Sequence, residues 1–93
     1  MKMILFTTTG CPRCPKARET VWEIASELGW EEGEDFEEKK IDEGDNFLNA
    51  LKYQVASAPS VVLICDGEGE VAFHGEAPSK EALLEEIKKR KLE

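Results

Sequence analysis

Met3-Ile4-Leu5-Phe6-Thr7-Thr8-Thr9-Gly10-Cys11-Pro12-Arg13-Cys14 decides how the rest of this chain is read. An apolar run suited to a buried strand ends at Gly10, and two thiols three residues apart follow at once. Beyond them Ala17, Val21, Ile24, Ala25 and Leu28 recur at helical spacing and mark one face of an amphipathic helix. The prolines set its start at Pro12, because a cap there leaves Pro15 at the third helical position, where no N–H donor is needed. A strand, a tight turn and a helix therefore meet at the first cysteine. There the sulfur of Cys11 lies beside unpaired backbone N–H groups and the positive end of the helix dipole. Arg13, Lys16 and Arg18 add positive charge, so the Cys11 thiol is expected to titrate below the ordinary thiol value of about 8.5. Cys14 lies one turn further along the same side of the helix. It is placed to attack a mixed disulfide formed at Cys11, not to meet substrate first.

The chain has 93 residues, 41% of them hydrophobic, which suits one small domain over 1–93. No internal repeat or low-complexity linker divides it. No apolar run approaches the roughly 20 residues needed to cross a membrane, and Met1-Lys2-Met3 opens no signal peptide, so a cytoplasmic protein is expected. The net charge of −8 argues against nucleic acid and anionic membranes as partners. Three cysteines are present. In a cytosolic chain a C-x-x-C pair is usually catalytic or metal-binding. A structural zinc wants four ligands, and only Cys65 and His74 remain as soft donors. Redox chemistry leads. An iron–sulfur or zinc carrier using the same two thiolates, and a redox-regulated binding module, stand as alternatives.

Taken in order, the pattern predicts strands at Lys2–Thr8, Phe36–Asp42, Ser60–Cys65 and Glu70–Gly75. The second is polar enough for a sheet edge. Helices are predicted from Pro12 to Leu28, with Gly29 as its left-handed cap, and after Gly44-Asp45, with Phe47, Leu48, Leu51 and Val55 on the inner side. A last helix is capped by Ser79, with Leu83, Leu84, Ile87 and Leu92 as its apolar face. Glu31–Asp35 reads as a solvated loop, and Asp66-Gly67-Glu68-Gly69 as a hairpin turn. The order is β-α-β-α-β-β-α. The first two strands should be parallel and the last two antiparallel, with the direction of the third left open by local rules. Cys65 is expected as a small buried hydrophobe and His74 as an exposed or half-buried residue. Trp22 and Trp30 should pack on neighbouring loops, and Arg13 should face solvent as an acidity and specificity element.

With Cys11-Pro12-Arg13-Cys14 after the first strand, Pro59 before the third, a glycine-linked hairpin and Gly75 before the final helix, the chain resembles the thioredoxin-fold superfamily. Within it the likeness is to small glutaredoxin-like and thioredoxin-like proteins, here with a CPRC active site. The resemblance covers nearly the whole chain. It implies an α/β, thioredoxin-like fold with a four-stranded mixed sheet flanked by helices. It also implies a thiol–disulfide oxidoreductase, a protein disulfide reductase, cycling between dithiol and disulfide at Cys11 and Cys14. No cofactor beyond that redox-active disulfide is expected. Pro59 would be the family's cis-proline, and the backbone of Ala58 would pair with an extended substrate segment. Pro12 and Arg13 would complete the substrate contact, and Arg13 with Lys16 would tune the thiol.

The chain also departs from the family pattern. Ile4, Leu5 and Phe6 offer no buried carboxylate, which leaves solvent or Lys16 as base for Cys14. In Gly75-Glu76-Ala77-Pro78-Ser79 the second glycine and the acid that hold glutathione are missing, and Glu76 would repel an anionic tripeptide. The expected partners are disulfide-containing proteins, with a protein disulfide reductase as electron donor in preference to glutathione. A monomer is expected.

Overall fold

In the computed structural model, which describes residues 1–65 and 67–91, the apolar run becomes strand β1 (Lys2–Thr7). Its residues Met3 to Thr7 are buried whichever face they point to, as in a strand covered on both sides. Helix α1 (Cys14–Leu28), strand β2 (Phe36–Lys40), helix α2 (Asn46–Lys52), strand β3 (Ser60–Cys65), strand β4 (Glu68–His74) and helix α3 (Lys80–Lys91) follow. The four strands lie in the order β2-β1-β3-β4. β2 is parallel to β1, with Leu5 opposite Glu38. β3 is antiparallel to β1, with Phe6 opposite Ser60, which supplies the direction that local rules left open. β4 is antiparallel to β3.

Alternation along the strands divides the core in two. On one face Met3, Leu5, Phe36, Val61 and Leu63 cluster with Ala17, Val21 and Ile24 of α1 and Leu83 and Ile87 of α3. On the other, Ile4, Phe6 and Val62 cluster with Ala50 of α2 and Val55. The expected caps form at two helix ends. Gly29 adopts φ 71° after α1, and the N–H of Trp30 donates to the Ala25 carbonyl at 2.8 Å. Before α3, the Ser79 hydroxyl accepts from the Ala82 N–H at 3.2 Å.

Several expectations are corrected. α1 begins at Cys14 with Arg13 as N-cap, and the Ala17 N–H donates to the Arg13 carbonyl at 3.2 Å. Pro12 and Arg13 form a bend between the thiols. Proline suits a bend as well as a first helical turn, so its spacing could not separate the two. β1 and β2 stop at Thr7 and Lys40, short of Thr8 and Asp42. β4 begins at Glu68 and ends at His74, because Cys65 already pairs with Glu68 across a shorter turn. Asp66 of that turn, and Leu92 of the last apolar face, lie outside the described residues.

α2 is rotated relative to the expectation. Phe47, Leu48 and Leu51 are 49%, 53% and 61% exposed, whereas Ala50 and Val55 are buried. A seven-residue helix docks through its smallest side chain here, which brings its backbone close to the sheet and leaves the larger residues outward. Cys65 is half-buried, not a fully enclosed core residue. Trp22 is exposed but meets Phe36 edge-on at 4.9 Å, and Trp30 packs against the larger core cluster.

These burials separate two kinds of apolar residue. Ile24→Ala is expected to cost about 2–5 kcal/mol, whereas Leu51→Ser should stay within about 0.5 kcal/mol of wild type, both read by denaturant unfolding.

Candidate active site

Cys11 and Cys14 are joined as a disulfide, their Cα atoms 5.4 Å apart. Cys14 is the first residue of α1 and only 2% exposed, and Cys11 lies outside the helix on the bend and is half-buried. The residue at the helix start is therefore Cys14, not Pro12 as the proline spacing suggested. Gly10 takes φ 79°, a left-handed conformation open to glycine, and so turns the chain from β1 into the bend. The Cys11 N–H points back to the Thr8 carbonyl at 3.4 Å. Pro12, Arg13 and Lys16 are exposed around the bend.

Strand pairing brings further segments to this end of the sheet. Because Phe6 lies opposite Ser60, Pro59 emerges beside Thr7, the last residue before the redox loop. The Ala58–Pro59 peptide is cis, with Pro59 buried and Ala58 half-buried. Three hydrogen bonds tie this loop down. The Ser60 hydroxyl donates to the Ser57 carbonyl at 2.7 Å and accepts from the Gly75 N–H at 3.1 Å. The Ala56 N–H donates to Nε2 of the exposed His74 at 3.1 Å. From the β2 side, the Ile41 N–H donates to the Thr7 carbonyl at 2.7 Å. The Thr9 N–H faces both carboxylate oxygens of Asp42 at 3.3 Å. Hydrogen bonding from Thr9, its side chain foremost and its backbone N–H as a smaller contribution, lowers the pKa of the Asp42 carboxyl from its ordinary value.

One charged cluster belongs to the same region. Arg18 grips Glu38 with two donors, Nε to Oε1 at 2.6 Å and Nη2 to Oε2 at 2.8 Å. The Thr7 hydroxyl donates to the same Oε2 at 2.9 Å. Arg18, foremost, and Thr7 hold the Glu38 carboxyl below its ordinary pKa against the opposing pull of burial. Glu38 in turn raises Arg18. The sequence counted Arg18 among the free cations near Cys11; the structure commits it to Glu38. Among the described residues no group of three or more His, Cys, Asp or Glu side chains could hold a metal ion.

The family described as a thioredoxin domain matches residues 1–88. The chain is 39% identical over 90 residues to a thioredoxin of Methanocaldococcus jannaschii, covering 97% of this chain and 95% of that one. The chain belongs to the thioredoxin family. A probable thioredoxin of Methanothermobacter thermautotrophicus is 35% identical over 83 residues, 89% of this chain and 87% of its own. The crystallographic thioredoxin of Fasciola hepatica superposes with a TM-score of 0.71 at 25% identity, over 95% of this chain and 78% of that one. The β-α-β-α-β-β-α order and mixed sheet are thus a thioredoxin fold. As a member of the family with a bridged C-x-x-C pair, the chain is a thiol–disulfide oxidoreductase.

The thioredoxin framework gathers Cys11, Cys14, Pro12, Arg13, Ala58 and Pro59 at one end of the sheet. Sequence reasoning missed Thr7, Glu38, Asp42 and Ser60 there. A signal for Glu38 was present. Parallel pairing of the first two strands carries its alternate residues to the α1 face, so one charge of the polar strand had to meet the helix.

Glu38 makes the fold acid-sensitive. Its carboxyl titrates lower in the fold than in an unfolded chain, where about 4.3 is usual. Its stabilisation is therefore complete above that value and is lost as pH falls through the folded value. Thermal unfolding between pH 6 and pH 2 should show the melting temperature falling, and Glu38→Gln should flatten part of that fall.

Proposed function

We propose that this chain reduces disulfides in other proteins by cycling Cys11 and Cys14 between dithiol and disulfide. The observation that carries this reading is the unequal access of two bridged sulfurs: Cys11 is half-buried on the bend and Cys14 is enclosed at the helix start. In this reading the Cys11 thiolate attacks one sulfur of a substrate disulfide. The S–S bond breaks, and the departing substrate sulfur takes a proton. Cys14 then loses its proton to solvent, since β1 holds no carboxylate. Its sulfur attacks Cys11, closes the Cys11–Cys14 bond and frees the second substrate thiol. Two electrons pass from the protein to the substrate, and no cofactor beyond the two sulfurs takes part.

The surroundings support assigned roles. Ala58 sits half-buried ahead of the cis bond, at the edge where an extended substrate segment would pair. Pro12 and Arg13 are exposed on the bend between the thiols, and Arg13 and Lys16 favour the thiolate by charge. A protein disulfide reductase is the preferred electron donor. Glu76, exposed immediately after Gly75, opposes an anionic tripeptide such as glutathione. The chain acts as a monomer in the cytoplasm, the compartment in which a C-x-x-C pair is kept available for reduction.

The test is insulin reduction together with mixed-disulfide trapping. Cys11→Ser should fall to the rate of the uncatalysed control. Cys14→Ser should accumulate a covalent adduct with its substrate that dithiothreitol releases. A Cys11→Ser variant that retains wild-type turnover overturns the role assignment.

A further inference from the structure

The Thr7–Glu38–Arg18 cluster sits at the level of the thiol pair. Thr7 closes β1 just before the redox loop, and Arg18 follows Cys14 by one helical turn. Residues four apart on a helix have Cβ atoms about 5–6 Å apart on one face, and helical side chains lean toward the N-terminus. Arg18 therefore carries its charge near Cys14, and Glu38 meets it there through two hydrogen bonds.

We propose that Glu38 sets the reduction potential of the Cys11–Cys14 pair by cancelling the charge of Arg18. The proposal rests on the dithiol–disulfide cycle above. Reduction takes the disulfide, two electrons and one proton to a Cys11 thiolate and a Cys14 thiol. A bare cation beside the helix start stabilises that thiolate and makes the pair more oxidising, and a bare anion does the reverse. With both present the net charge of the ion pair is near zero, and the thiol pair is less oxidising than it would be beside three uncompensated cations. The other charges facing this region are Arg13 of the bend, Lys16 of α1, Lys40 of β2 and Asp42, whose carboxylate meets the Thr9 N–H.

The two partners of one ion pair are thereby assigned opposite effects. Glu38→Gln keeps the size of the side chain and an oxygen for Thr7, and leaves Arg18 uncompensated. Arg18→Met leaves Glu38 uncompensated. A merely structural role predicts something else, since either change loosens the same junction between β2 and α1.

The experiment equilibrates wild type and variants in glutathione buffers at constant ionic strength. There two glutathione molecules become one glutathione disulfide as each protein disulfide is reduced. The dithiol fraction is read by alkylation of the pair. Glu38→Gln should shift the equilibrium about three- to tenfold toward dithiol, as expected for a unit charge at this range. Arg18→Met should shift it by a similar factor toward disulfide, and the double variant should return close to wild type. Arg18→Lys, which keeps the charge and loses the fork, should hold the wild-type equilibrium while lowering stability. Shifts of the same sign in both single variants, or none in either, overturn the proposal. If Arg18→Met does not fold, Glu38→Gln and Arg18→Lys decide: an unmoved Glu38→Gln, or an Arg18→Lys that moves as far, overturns it. A wild-type disulfide that excess dithiothreitol does not reduce to the dithiol overturns the thiol cycle itself. Failure of the variants alone leaves that cycle standing.

Discussion

Everything at the redox end depends on how β1 is held. It is the central strand, paired on one side with β2 in parallel and on the other with β3 in antiparallel. Both ladders run to its last residues. At one point the chain therefore delivers three strand ends: the exit of β1, the exit of β2 and the entry of β3. The bend with its two thiols, the Ile41–Asp42 segment and the Pro59 loop issue from these ends and have no other place to go. The buried residues Met3 to Phe6 enforce this, because slipping the register by one would carry each side chain into the opposite core and spoil the packing of both.

Much of this was legible in the sequence, and the reason is physical. The two periodicities of strand and helix are set by burial, and burial is what Met3–Phe6, Ala17–Ala25 and Ser60–Leu63 encode most clearly, whereas Leu28, read as part of the helix's apolar face, is exposed. The thiol pair and Pro59 were legible for a different reason. Cysteine and proline are residue types whose chemistry narrows what a position can do. Ser79 and Gly29 announced their helix ends in the same way, through a side-chain acceptor and a free φ.

What escaped were features decided by two distant segments at once. Glu38 looked like a charge that keeps an edge strand solvated, and only its placement opposite Leu5, under α1, makes it a partner for Arg18 and Thr7. Ser60 looked like the plain start of a strand, yet its hydroxyl joins Ser57 to Gly75. The rotation of α2 escaped because its three large apolar residues and Ala50 fit two orientations of a short helix. Local hydrophobicity favoured the large ones, and close packing on the sheet selected the small one.

The position of Cys65 has its own consequence. It closes β3 at the end opposite Ser60, five residue steps away, or roughly 17 Å along a strand. No sulfur–sulfur bond spans that distance without unravelling the sheet, so the third thiol cannot intrude on the pair within one molecule. Two copies bridged through Cys65 would meet tail to tail, with both reactive ends pointing away from the seam.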